Sequence, residues 1–100
     1  MGLLLFKREF LAAIRSGSKR TTIRRWDRPR VRAGGSAFAP GLGWLAIESV
    51  DTVELKNLSD GDALADGFRS AAEMRKTLRR LYPSSRKDNR SWFRVRFRLP

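Results

Sequence analysis

The hydrophobic positions of this chain fall into short runs whose period changes from segment to segment. Leu3, Leu4, Leu5 and Phe6 form an unbroken apolar run whose length fits a short buried strand. From Lys7 to Ser16, Phe10, Leu11 and Ile14 recur at helical spacing, and Gly17 stands where a left-handed residue ends a helix. Thr21 to Trp26 is β-prone. Pro29 and the Gly34-Gly35 pair bar a helix from the basic loop between Asp27 and Gly35. Ser36 to Ala39 suits a short strand, Pro40-Gly41 a turn, and Trp44 to Leu55 a long strand. Leu45 and Ile47 are followed by Val50, Val53 and Leu55, so the alternation slips phase near Ser49 and predicts a bulge or bend.

The second half is more helical. Asn57 to Asp66 predicts a short helix with Ser59 as its N-cap. Ser70-Ala71-Ala72-Glu73 reads as a capping box opening a helix to about Leu81, with Ala71, Met74, Leu78 and Leu81 inward, and Pro83 stops it. Ser84 to Asn89 is a polar loop. Trp92 to Leu99 then alternates almost strictly: Phe93, Val95, Phe97 and Leu99 face one way, Arg94, Arg96 and Arg98 the other. Strands grouped around a helical insertion predict an α+β fold with a curled sheet, and 100 residues without a long linker predict one domain over positions 1–100.

Composition narrows the chemistry. The chain has no cysteine and no histidine. It therefore has no disulfide, thiol nucleophile or His-dependent triad, and we expect neither a metal site nor a cofactor. Twenty-two Lys and Arg against ten Asp and Glu give a formal charge of +12. Such an excess favours an anionic polymer as partner. No apolar run approaches the ~20 residues of a membrane span, and a cytoplasmic monomer is the expectation. Gly41-Leu42-Gly43 loosely matches a dinucleotide fingerprint, but a strand pattern follows it, so it reads as a hairpin turn.

The densest chemical signal is Gly17-x-Lys19-x-x-Thr22-x-Arg24. It is a helix C-terminus running into a strand, with Thr22 and Arg24 on one strand face and Lys19 able to fold over it. An ammonium, a hydroxyl and a guanidinium together can seat a phosphate or an oxyanion; the plain alternative is a solvated basic turn. Around it, Arg20, Arg24, Arg25, Arg28, Arg30 and Arg32 crowd one strand and its loop, with Trp26 among them. Arg94 and Arg96 add to this array from the last strand. Interleaved Arg and aromatic residues suit single-stranded RNA, since guanidinium planes bind phosphate and indoles stack bases. Trp26 and Trp92 equally suit the core or its rim.

These four residues match the G-x-K-x-x-T-x-R signature of the ASCH domain family, which the chain resembles over essentially its whole length. The Leu-Ser-Asp stretch followed by Asp66-Gly67-Phe68, the helix ending in Leu81-Tyr82-Pro83 and the aromatic final strand are similar too. The resemblance implies a PUA-like small mixed β-barrel with flanking helices, and binding of RNA or, more broadly, of nucleic acid including DNA. It also implies a rival: some small members are amidohydrolases of N4-acetylcytidine, or ribonucleases. In the amidohydrolases a Lys and a Thr of the signature work with a Glu. Lys19 and Thr22 match, as base and nucleophile, whereas Asp66 stands at the Glu position, one methylene shorter, as proton shuttle or positioning group. Asp66 also suits a plain turn before Gly67. A protein-interaction module for acidic partners is a further class.

Overall fold

The structure, a computed structural model, describes residues 2–83 and 88–100. Of the loop expected over Ser84–Asn89, positions 84–87 lie outside the described residues.

Five strands form one sheet: β1 (Gly2–Leu3), β2 (Thr21–Trp26), β3 (Ser36–Ala39), β4 (Gly43–Val53) and β5 (Ser91–Arg98), in the order β1-β3-β4-β5-β2. β1 runs parallel to β3, and every other pairing is antiparallel. The expected fold class holds: a mixed α+β chain with a curled, half-barrel sheet. One sheet face curls around Leu4, Ile14, Leu45, Ile47, Val95 and Phe97. The other face is partly covered by helices α2 (Asp60–Ala65) and α3 (Ala71–Leu81), whose Ala63, Met74 and Leu78 pack with Ile23, Leu55 and Leu58. A short helix, α1 (Leu11–Ser16), ends at Gly17 with φ 85°, as its position predicts.

The pairing register explains how the strands keep these faces. Inward on β5 are Phe93, Val95 and Phe97, all buried, and outward are Trp92, Arg94, Arg96 and Arg98. The register of β4 against β5 shifts between Ile47 and Ser49, where the phase slip predicts a bulge. The extra residue returns Val50 to the inner face, opposite Val95. Gly41 and Gly43 have φ of 87° and 91° and turn the β3–β4 hairpin, confirming that segment as a turn.

Several boundaries differ from the sequence expectation. The run Leu3–Phe6 is not a buried strand: pairing ends at Leu3, Leu4 alone is buried, and Leu3 and Leu5 are exposed. After Leu4 the chain leaves β3 and crosses toward β2. There the Arg24 guanidinium donates to the Leu5 carbonyl at 2.6 Å and lies 5.1 Å from the Phe6 ring. The two sheet ends are thus bridged by a side chain rather than by a ladder. The expected helix over Lys7–Ser16 begins instead as a 3-10 turn, Arg8–Phe10, because no side chain caps the entering turn. The long strand stops at Val53, and Leu55–Asn57 is a second 3-10 turn.

Ser59 caps α2 in a complete capping box with Asp62. Before α3 the box is only half made: the Ser70 hydroxyl accepts from Glu73 N, but the Glu73 carboxylate accepts from Arg69 N. Leu81 is exposed rather than inward, and it lines a cleft instead of the core.

Candidate functional site

The end of α1, the start of β2 and the end of α2 meet at one point. Gly17 reverses the chain, and Lys19 N then donates to Ala13 O at 3.0 Å. Arg20 N donates to Ala65 O at 2.7 Å, which ties β2 to the C-terminus of α2. Between these two anchors the Lys19 side chain turns inward and is only 4% exposed, while Asp66, the C-cap of α2, is 2% exposed. Gly67 follows with φ 93°, and a Cβ there would sit 3.3 Å from Lys19 Cδ. The positive φ favours glycine, and a Cβ would also require the lysine stem to give by a few tenths of an ångström.

Lys19 Nζ donates to the backbone oxygens of Thr21, at 2.9 Å, and Asp66, lies 3.6 Å from Asp66 Oδ2, and is 4.8 Å from the Phe10 ring centre. Asp66 Oδ1 accepts from the Thr21 hydroxyl at 2.7 Å. Burial pushes the Lys19 amine below the ordinary lysine range, opposed by the Asp66 charge and helped by Arg24. Burial likewise raises the Asp66 carboxyl, against the pull of Lys19 and the Thr21 hydrogen bond. Both shifts bring the pair closer to a neutral amine beside a neutral acid.

Above this pair opens a cleft of about 650 Å³. Phe6, Phe10, Phe68 and Tyr82 wall it, and Lys19, Thr22, Arg24 and Asp66 reach it. The structure therefore brings Lys19 and Asp66 into contact and puts Thr22 in the same cleft. The hydroxyl in contact with the pair is nevertheless that of Thr21; Thr22 Oγ1 accepts from Arg24 Nε at 3.0 Å. Sequence reasoning missed Thr21, although its place two residues after Lys19 at the head of a strand was the signal. It also missed Glu73, read only as a helix cap, which lines the cleft.

The arginine array is divided. Alternation sends Arg24 and Trp26 to the inner face and Arg25 to the outer one. Trp26 is half-buried, its ring 5.9 Å from that of Phe93. Arg25 lies 4.9 Å from the Trp92 ring and pairs with Asp88 at 3.0 Å, while Arg94 pairs with Asp62 at 3.2 Å. Arg25, Trp92, Arg94 and Asp62 border a wider depression of about 1220 Å³ on the outer face. It is larger than the cleft, but its two partly buried guanidiniums are already neutralised. It also lacks the buried titratable pair, so the cleft is the stronger candidate. Arg96 is half-buried on the outer face, and Arg20, Arg28, Arg30 and Arg32 are exposed, with Arg30 paired to Asp27. Among the described residues no group of three Asp, Glu, His or Cys could hold a metal ion, and no helix is long and apolar enough to cross a membrane.

Solved structures decide the fold. The crystal structure of an ASCH domain from Lactobacillus crispatus JV V101 superposes with a TM-score of 0.77 at 13% identity, covering 98% of this chain and 79% of that one. The chain has the ASCH fold. Hypothetical protein PH0355 superposes with a TM-score of 0.81 at 17% identity over the full length of both chains. EF3133 from Enterococcus faecalis V583, of the family DUF984, reaches 0.72 at 15% identity, covering 98% of this chain and 78% of that one. No family model matches the sequence, and no curated protein does. Of the four motif residues, Lys19, Thr22 and Arg24 line the cleft, and Gly17 ends the helix that leads to it.

Proposed function

We propose that this ASCH-fold protein binds RNA and takes an unpaired base into the cleft over Lys19 and Asp66. The observation that carries this reading is the composition of the cleft: four aromatic side chains around the Arg24 guanidinium, the buried Lys19 amine and the buried Asp66 carboxyl, with Lys7, Arg80, Glu9 and Glu73 also lining it. Its volume lies within the few hundred to a thousand Å³ that small ligands occupy, which suits a nucleoside and not a duplex. Aromatic faces stack any base, and polar groups at the floor read its edge. The net charge of +12 supplies long-range attraction to phosphate. Phe10→Leu and Tyr82→Leu keep apolar volume and remove the ring. Each should weaken binding of a single-stranded oligonucleotide about fivefold or more, without a matching fall in Tm. Unchanged affinity in both variants would reject the cleft as the base site.

A second reading is supported by the lowered basicity of Lys19 in a nucleoside-sized cleft that also holds the Thr22 hydroxyl. The same cleft would then hydrolyse an acylated cytidine: Thr22 Oγ1 attacks the acyl carbon as a neutral Lys19 takes its proton, the C–N bond breaks as that proton passes to the leaving amine with Asp66 relaying it or holding Lys19, and water then cleaves the acyl-threonine to release the acid. Thr22 Oγ1 accepts from Arg24 Nε, a bond that leaves its own proton to donate, and the step requires that proton to reach Lys19 Nζ when substrate enters. Thr22→Val should abolish acetate release from N4-acetylcytidine. No release by the unaltered protein above a buffer control would reject hydrolysis and leave binding in place.

A further inference from the structure

We propose that the uncovered outer face of the sheet at β1, β3 and β4 is a second contact surface for single-stranded RNA, stacking bases on Phe38 and Trp44; this rests on the RNA-binding reading. The strand register makes the surface. Leu3 pairs with Phe38 and Phe38 with Trp44, so these three residues form one row across three strands. Their neighbours Leu4, Ala37 and Leu45 are buried on the inner face, so the row points outward. Leu3 is 57% exposed, Phe38 39% and Trp44 47%. The two rings stand edge to face at 5.3 Å and so hold each other in place. Neither ring lines the cleft, and the helices that cover the outer face pack with Ile23 and Leu55, away from this row.

The next row favours an anionic partner. Ala46 pairs with Arg98, which puts a guanidinium beside the aromatic row on the same face. Arg98 has one carboxylate near it, Glu48 at 3.6 Å, and both side chains are largely exposed. A solvated pair of this kind is worth little and exchanges readily for a phosphate. Arg96, one row further on, extends the cationic line. Three apolar residues are too few for a protein interface, which covers about 800 Å² per partner, but two rings suffice for one or two bases.

The test uses an oligouridylate of about eight nucleotides, within the site sizes of sheet-based single-strand binders, read by fluorescence anisotropy. Phe38→Thr combined with Trp44→Thr keeps β-forming residues at exposed positions. It should weaken binding about tenfold or more with Tm preserved. Arg98→Glu should weaken it independently, and the losses should add to that of Phe10→Leu in the cleft. Equal affinity in the double variant, beside a wild type that binds, overturns the outer-face surface and leaves the cleft reading intact. A wild type that fails to bind overturns both. Self-association of the wild type that the double variant abolishes overturns the inference in favour of a protein contact.

Discussion

Replacing Asp66 by asparagine removes the carboxylate beside a lysine that is almost fully enclosed. The amide oxygen can still accept from the Thr21 hydroxyl, and the backbone oxygens of Thr21 and Asp66 still accept from Lys19 Nζ, so the change is chiefly one of charge. Breaking a buried pair in this way costs about 3–5 kcal/mol, because the remaining charge is uncompensated. Lys19 has one escape, which is to lose its proton. From an unfolded pKa of about 10.4, deprotonation at pH 7 costs about 4.6 kcal/mol, which caps the penalty. The Lys19 amine is already lowered by burial, and losing Asp66 lowers it further, since Asp66 is the group that raises it. A lysine whose folded pKa lies below its unfolded value binds fewer protons when folded, so stability rises with pH between the two values. The penalty should therefore shrink by up to about 1.4 kcal/mol per pH unit from pH 7 until the wild type's own lowered Lys19 begins to lose its proton, and stay level above that. Urea unfolding followed by tryptophan fluorescence, variant against wild type at each pH, measures it. Lys19→Met with Asp66→Asn should recover most of the loss, since an apolar isostere of a buried pair is often neutral or better. A penalty that does not shrink at all as pH rises from 7 would refute the argument and trace the loss to packing.

Three further outcomes follow from local geometry and one from charge. Gly67→Ala should cost about 1–2 kcal/mol or more in urea unfolding, because φ is 93° and the new Cβ would press on Lys19. Ser59→Ala should cost about 1 kcal/mol by the same measurement, since it opens the α2 capping box; no loss would show that the box is not stabilising. Trp26→Ala should lower Tm more than it lowers RNA affinity in the folded fraction, because its ring packs against Phe93; a selective affinity loss would assign it to stacking. Log affinity for single-stranded RNA should fall against log salt with a slope of about −0.7 for each phosphate engaged, and a flat response would remove phosphate contacts from the binding reading.

What was legible depended on how local its cause was. The faces of β5 follow from strict alternation at Phe93, Val95 and Phe97, and the bulge in β4 from a phase slip between Ile47 and Val50. The cap at Ser59 depends on residues three apart, Ser59 and Asp62, and so was readable too. The extent of β1 was not, because it depends on where β3 ends and on Arg24 reaching the Leu5 carbonyl across the sheet. At the site, motif spacing singled out Lys19, whereas Asp66 came only from the resemblance to the ASCH family. Consecutive hydroxyls at Thr21 and Thr22 point to opposite faces, and only the docking of α2 determines which meets Asp66. The cleft walls come from segments far apart in sequence, Phe6 and Phe10, Phe68, and Tyr82. No period within one segment announces them.

The strand order has a consequence for synthesis. β5 is the last of the five strands made, yet it lies inside the sheet, between β4 and β2. Before residues 91–98 leave the ribosome, β2 has no hydrogen-bonded neighbour and β4 has only β3. Phe93, Val95 and Phe97, which fill the middle of the curled sheet, are also still missing. The nascent chain can therefore gain its α-helical turns and the β3–β4 hairpin early, but its core forms only after translation of β5. A message truncated shortly before Ser91 would release a polypeptide with two bare strand edges, the kind of product that quality-control proteases and chaperones recognise, and no partly functional fragment.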